Sequence, residues 1–137
     1  MDIAGIPPKS VTRLLRLDGL AVAAAVIVAY AVMGGNWWLF AALILAPDLS
    51  FLAIALGEKA AARTYNVVHS YALPIILGAA GYFSGIAWML PVALIWAAHI
   101  GIDRAVGYGL KYPSSLKHTH LGIMGKDKKA ATLANAG

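Results

Sequence analysis

The fold is decided by apolar stretches such as IAWMLPVALIWAAHIGIDRAV, residues 86–106, which is long enough to cross a bilayer as a helix. Two ionisable side chains, His99 and Asp103, lie inside this stretch. An ionisable group within a membrane span costs roughly 2.5–3.5 kcal/mol on insertion scales, so it usually faces a bundle interior and serves a function. The stretch therefore predicts both a membrane helix and a polar site on that helix.

Three further stretches of the same kind precede it: residues 17–33, 37–56 and 64–82. Short turns or a charged connection separate them, and Pro47 predicts a break near the middle of the second stretch. We expect an all-α integral membrane four-helix bundle with up-and-down order. This four-span domain would cover residues 1–125, and a disordered basic tail would follow at residues 126–137.

The composition excludes an ordinary soluble protein, because 61% of the 137 residues are hydrophobic and only 12% are charged. The chain has no cysteine, so any metal site would use nitrogen and oxygen ligands only. The net charge of +5 comes from basic residues that flank the apolar spans without interleaved aromatics. We therefore expect membrane lipids with anionic headgroups as partners rather than nucleic acid, with a homo-oligomer left open.

The basic residues also predict the orientation, since all 11 Lys and Arg fall at the termini, at the end of the last span or in the 57–63 connection. The positive-inside rule then places both termini in the cytoplasm, and we expect a multi-pass protein of the inner (cytoplasmic) membrane. His69 follows Arg63 closely and His99 precedes Arg104 closely, so each histidine lies about 8–9 Å from the cytoplasmic boundary at 1.5 Å per residue. Both therefore share one depth.

Asp48, His69, His99 and Asp103 form the candidate site, because all four fall in the predicted cytoplasmic half of three different spans. His99 and Asp103 are four residues apart and share one helix face. Two nitrogen and two oxygen ligands suit zinc or another borderline divalent ion, and bundle cores commonly hold such sites. A bound ion can make a nucleophile from water, with Asp48 or Asp103 as the catalytic carboxylate or general base.

Asn66 and Ser70 flank His69 on the same predicted helix, and we expect them to orient the ligands. A second set of polar residues begins at the end of the last span. We expect these residues to contact the anionic headgroup of a substrate: Arg104, Lys111, His118 and His120. His118 and His120 would otherwise fold back as extra ligands. The default expectation for their segment, residues 107–122, is a solvated basic tail.

Each residue of the candidate site also has a plainer interpretation. Asp103 would simply pair with Arg104 or Arg63 at the interface. Asp48 would cap a half-helix that begins at Leu49. A lone histidine in a span more often forms a hydrogen bond between helices than binds an ion. Under these interpretations the protein is not an enzyme, and the cluster handles ions or protons, or packs the helices of an oligomer.

Four motifs resemble those of a family of small bacterial membrane proteins, domain of unknown function 4260: APDLS (46–50), YNVVHSYALP (65–74), HIGIDRAVGYGLKYP (99–113) and HTHLG (118–122). More distantly, the chain is similar to membrane-bound metal-dependent hydrolases. The matching positions are Pro47-Asp48, His69-Ser70, His99 with Asp103, and Tyr112-Pro113. The hydrolase pattern has a second aspartate where this chain has Ser50, and an early Thr-His pair that has no counterpart here. That resemblance implies hydrolysis of an ester or phosphoester of a lipid-like substrate.

Overall fold

Four apolar helical spans form the body of the molecule in a computed structural model, which describes residues 7–112 and 115–124. The helices are α1 (Lys9–Val32), α2 (Trp37–Leu43), a 3₁₀ segment (Ala46–Leu56), α3 (Glu58–Val68), α4 (Ala72–Ser84) and α5 (Met89–Val106). The second span comprises α2 with the 3₁₀ segment, and the third comprises α3 with α4. All four are long and apolar enough to cross a membrane, as the sequence predicts.

The first helix is longer than predicted, since it begins at Lys9, directly after Pro7-Pro8, rather than at residue 17. Hydropathy detects only the apolar part of a helix. The polar first turns of α1 continue the same backbone because nothing after Pro8 interrupts it. The helix ends before Gly34, whose positive φ of 71° few other residues adopt at low cost.

The second span is broken where Pro47 predicts it, because α2 ends at Leu43 and a 3₁₀ segment continues from Ala46. Asp48 lies in the first turn of that segment. It is therefore not the cap of a half-helix beginning at Leu49, and that alternative is wrong.

The third span is also broken, although the sequence predicts one continuous helix over residues 64–82. The chain leaves the helical path between Val68 and Ala72, and His69 is the residue that ends α3. Pro74 then lies in the first turn of α4, where its missing N–H costs no hydrogen bond. The proline therefore marks the start of a new helix rather than a kink within an old one.

The last span, α5, lies at the centre of the molecule: 39% of its apolar window is buried, against 6–17% for the other three spans. It packs on α1 and α4 over most of its length and touches α2. α1 and α5 cross with their backbones in contact at Gly19 and Gly101, where a Cβ on Gly101 would stand 2.7 Å from the carbonyl oxygen of Gly19. Such close crossings are typical of small residues in membrane helices.

A small antiparallel sheet follows the helices, with β1 (Lys111–Tyr112), β2 (Ser115–Thr119) and β3 (Gly122–Ile123) in that spatial order. It packs against α3, and it buries Lys111, Thr119 and Leu121. The expectation of a solvated tail over residues 107–122 is therefore wrong, and the fold is mostly helical rather than all-α. The tail predicted at residues 126–137 lies outside the described residues.

Candidate metal centre

Four side chains from three spans converge on one point between the 3₁₀ segment, the end of α3 and the C-terminal half of α5. Their ligand atoms all lie within 4.8 Å of one another: Asp48, His69, His99 and Asp103. The two histidine Nε2 atoms are 3.1 Å apart. The four separations from these nitrogens to the carboxylate oxygens are 3.4–3.6 Å. The structure thus brings together the cluster that the sequence predicts, and this cluster can hold a metal ion.

These separations match a single small ion. Ligands held tetrahedrally at 2.0–2.2 Å from zinc lie about 3.3–3.6 Å from one another. Five of the six edges of the cluster measure 3.1–3.6 Å, close to that range. The remaining edge, between the carboxylates of Asp48 and Asp103, is no longer than 4.8 Å.

His69 is fixed in the orientation that a metal ligand needs. Its Nδ1 lies 3.0 Å from the carbonyl oxygen of Tyr65, so Nδ1–H donates to that carbonyl and Nε2 keeps its lone pair for the cluster. The Tyr65 ring stacks on the imidazole, with centroids 3.7 Å apart and planes within 14°. Its hydroxyl group lies close to the Asp103 carboxylate. Tyr65 thus supports two of the four side chains, a role that the sequence did not indicate.

His99 and Asp103 come from successive turns of α5 and therefore point the same way. The backbone at Ile44, in the break of the second span, lies close to the His99 ring. Asp103 forms ion pairs with the two histidines, whereas Arg104 contacts His120 and the carbonyl of His69. Within the described residues, the alternative pairing of Asp103 with Arg104 or Arg63 is not the arrangement found.

The four side chains of the cluster differ in how much of their surface is exposed. His69 and His99 are buried and Asp103 is 18% exposed, whereas the side chain of Asp48 is 45% exposed. The cluster is therefore most accessible on the Asp48 side.

The break in the third span leaves backbone carbonyls without helical partners, and α5 satisfies two of them. The Trp96 indole N–H donates to the carbonyl of Val68 at 2.7 Å, and Arg104 donates to the carbonyl of His69 at 3.2 Å. An unpaired carbonyl in the apolar part of a membrane costs several kcal/mol. Trp96 and Arg104 therefore stabilise the break that presents His69, and sequence patterns gave no sign of this pairing.

The predicted supporting residues make backbone contacts. The Asn66 amide donates to the carbonyl of Lys111 at 2.7 Å and accepts from its N–H at 2.6 Å, which attaches β1 to α3. The Ser70 hydroxyl accepts from the N–H of Ala72 at the start of α4. Both residues shape the backbone around His69, and a direct orienting role for either stays a prediction.

The predicted headgroup residues are placed differently from one another. Arg104 is half-buried and lies 3.2 Å from His120, with its charge also over the Tyr71 ring. Within the described residues, His118 and His120 are not part of the four-residue cluster. His120 accepts from the N–H of Leu110 at 2.8 Å, and burial followed by the charge of Arg104 lowers its pKa.

Lys111 does not lie at the surface as predicted. Its side chain is buried, donates to the carbonyl of Leu116 at 3.0 Å, and covers the rings of Phe51 and Tyr65. Burial lowers the pKa of its ammonium group. Lys111 is therefore bonded inside the fold, and its contact with a lipid headgroup stays a prediction.

An apolar cleft of about 260 Å³ lies beside the cluster. Its walls come from α2, the 3₁₀ segment, the end of α3 and the middle of α5: Leu43, Ala46, Pro47, Val68, Val92, Ile95 and Trp96. Three of these residues adjoin cluster residues along the chain or along one turn of helix. The cleft and the cluster are thus neighbouring parts of one region.

The comparison with protein families agrees with the predicted resemblance. A family model described as a domain of unknown function (DUF4260) matches residues 12–124. The chain belongs to this family. The matched range includes all four cluster residues and the three strands, while the family description names no activity. No curated protein and no solved structure matches the chain.

Proposed function

We propose that this member of the DUF4260 family is a membrane-embedded hydrolase, which uses a divalent ion to cleave an ester or phosphoester of a lipid-like substrate. The observation that carries the proposal is the set of 3.1–3.6 Å separations among two imidazoles and two carboxylates inside four apolar spans. Zinc fits this donor set and spacing best. The chain is then a multi-pass protein of a bacterial inner membrane, with the site toward the cytoplasm, as the basic residues favour.

The differing exposure of the cluster residues supports a division of roles. Two histidines and one carboxylate around zinc, with water in the fourth position, form a catalytic arrangement, whereas four protein ligands close a structural site. His69, His99 and Asp103 are the less exposed residues and would hold the ion. Asp48 is more exposed and would act as the general base.

The reaction that this division supports is simple hydrolysis. A divalent ion in such a site lowers the pKa of water to about 7, which supplies a nucleophile without serine or cysteine. Asp48 takes the proton of the attacking water, whose oxygen forms the new bond to the carbonyl carbon or the phosphorus. The bond to the leaving oxygen breaks, and that oxygen recovers the proton from Asp48. Arg104, beside the cluster, would attract an anionic headgroup.

The distant resemblance to membrane-bound hydrolases also supports the proposal. Ser50 stands where their pattern has a second aspartate, and within the described residues its hydroxyl is buried without a hydrogen-bond partner. The carboxylates of the site are therefore limited to Asp48 and Asp103. This makes the separate testing of each carboxylate informative.

The rival function is non-enzymatic, and one contact favours it. The 3.1 Å distance between the Nε2 atoms of His69 and His99 is also that of a hydrogen bond between a protonated and an unprotonated nitrogen. Such a pair, flanked by two carboxylates, would pass or store a proton, or pack the spans within an oligomer. Metal content separates this function from the first.

Elemental analysis of the purified full chain, grown with sufficient metal, is the first test. The wild type and a matched control, His118→Ala, are expected to hold about one divalent ion per chain. His69→Ala and His99→Ala are expected to lose it, while Asp48→Asn is expected to keep it. Well-folded wild type without stoichiometric metal would overturn the proposal in favour of the proton-handling rival.

Hydrolysis of chromogenic phosphodiesters and acyl esters in detergent micelles is the second test. The wild type is expected to be active, to lose activity on treatment with a chelator and to regain it with zinc. Asp48→Asn is expected to lose about 10²–10⁴-fold in kcat with its metal retained, which is the usual contribution of a general base. Metal loss in Asp48→Asn, with no hydrolysis by the wild type, would identify a closed structural site and refute the enzymatic role.

A further inference from the structure

The apolar cleft beside the cluster is placed where the rest of a substrate would lie. Pro47 and Val68 in its wall immediately precede Asp48 and His69, and Ile95 lies one helical turn before His99. A ligand in the cleft is therefore next to the four ligand atoms. A group at the end of that ligand would be presented to the cluster.

The cleft extends from the cluster toward the middle of the bilayer. Val92 and Ile95 come before His99 on α5, and the charged end of that helix follows at Asp103 and Arg104. Since the charged end lies at the proposed cytoplasmic boundary, the cleft runs away from that boundary into the apolar depth of the span.

The apolar walls of the cleft favour a hydrocarbon ligand. All seven lining side chains are apolar or aromatic, and the indole N–H of Trp96 is already bonded to the carbonyl of Val68. A polar ligand would lose its hydrogen bonds there, at a cost of several kcal/mol for each unpaired group. Ala46 at the rim is exposed, and Leu43, Val92 and Trp96 are half-buried, so the cleft is open on the side of the lipid chains.

The volume narrows the choice of ligand further. About 260 Å³ lies just below the range of about 300–1,000 Å³ that is typical of pockets for drug-sized ligands. A sterol-like ring system or two chains side by side would exceed it. A section of one unbranched chain fits, and the open side of the cleft leaves room for the rest.

We propose that the cleft binds a single acyl or alkyl chain of the substrate and so holds the ester or phosphoester group at the cluster. This inference rests on the proposed function and names the substrate class: a lipid recognised through one hydrocarbon chain that enters sideways from the bilayer. Val92 is a specificity-determining residue in this arrangement, because it lines the cleft without belonging to the cluster.

The test compares the same substitution inside and outside the cleft. Val92→Phe adds an aromatic ring to the cleft, whereas Val28→Phe adds it to an α1 position that is 60% exposed. The full chain in nanodiscs is labelled by light with a fatty acid carrying a diazirine at the end of its chain, and labelled peptides are measured by mass spectrometry. Labelling of residues 43–47 and 92–96 is expected to fall about tenfold in Val92→Phe only, a size usual for blocked hydrophobic pockets.

Metal content and chain-length preference of the same variants complete the test. Val28→Phe is expected to keep its metal and its rates on acetyl and long-chain esters, whereas Val92→Phe is expected to keep its metal and to show a lower ratio of long-chain to acetyl rates. Equal labelling of both variants, or an unchanged long-to-short rate ratio, overturns the acyl-chain inference while leaving the hydrolase intact. Cleft labelling in a protein without metal or hydrolysis overturns the proposed function instead, and the chain is then a bound membrane lipid rather than a substrate.

Discussion

Gly101→Ala is expected to weaken the packing of α5 on α1, the contact that holds the cluster-bearing helix in place. A Cβ at this position would stand 2.7 Å from the carbonyl oxygen of Gly19, 2.8 Å from the N of Ala23 and 2.9 Å from its Cβ. The first two are backbone atoms, which cannot rotate away as a long side chain would. The two helices must therefore separate to admit the methyl group.

Two opposing contributions set the size of the effect. Gly→Ala in a helix interior is worth roughly 0.5–1 kcal/mol in favour of the helix. Overpacking a close contact costs about 1–3 kcal/mol. The net loss in free energy of unfolding is therefore about 0–2.5 kcal/mol. Gly78→Ala is the matched control, since its Cβ would meet Ala93 at an ordinary 3.4 Å and only the favourable contribution applies.

Unfolding by titration with a denaturing detergent in mixed micelles measures both variants against the wild type. Gly101→Ala is expected to unfold at lower detergent fraction and Gly78→Ala at the same or higher fraction. Because Gly101 lies between His99 and Asp103, a displaced α5 should also lower the metal affinity of Gly101→Ala. Equal stability of Gly101→Ala and Gly78→Ala would show that the α1–α5 crossing is looser than described, and would refute the reasoning.

Two further predictions concern the sheet. Asn66→Asp removes the donor to the carbonyl of Lys111 and should lower the free energy of unfolding by about 1–3 kcal/mol in the same titration. Proteolysis after residue 107 should also become faster. Unchanged values of both would mean that the Asn66 amide does not hold β1. Burial and the charge of Arg104 lower the pKa of His120 in the folded chain. As the pH falls, His120 therefore becomes protonated in the unfolded chain before it does so in the folded chain. Wild-type stability should therefore decrease below about pH 6.5, the unperturbed value for histidine, and more steeply than that of His120→Gln; parallel pH profiles would contradict this.

The sequence allowed the four spans and the cluster to be predicted for the same physical reason. Apolar length is a strong signal in a membrane helix, and ionisable residues such as His69 and His99 are conspicuous against it because they are costly there. The family was recognised from the motifs around those residues, and the family model confirms it. The metal, the reaction and the orientation in the membrane stay predictions.

The break at His69 was missed because no glycine or proline lies at residues 69–71. Pro74 is the residue that indicates the break, because in a continuous helix its ring would clash with the carbonyl of Ser70, four residues earlier. A helix that runs through Ser70 is therefore disfavoured. The sheet was missed because strands of two to five residues carry little periodicity. Its attachment depends on Asn66 and Lys111, which are far apart in sequence and meet only in the fold.

The cluster residues come from segments that are far apart in sequence, so a bound ion would also restrict the unfolded chain. A bound ion would join the end of α3 to the C-terminal half of α5 through His69, His99 and Asp103, and so close the loop from His69 to His99. Such closure restricts the unfolded chain in the way that a disulfide does. In a chain without cysteine, the ion would be a reversible cross-link, complete only after the last span has packed against the third.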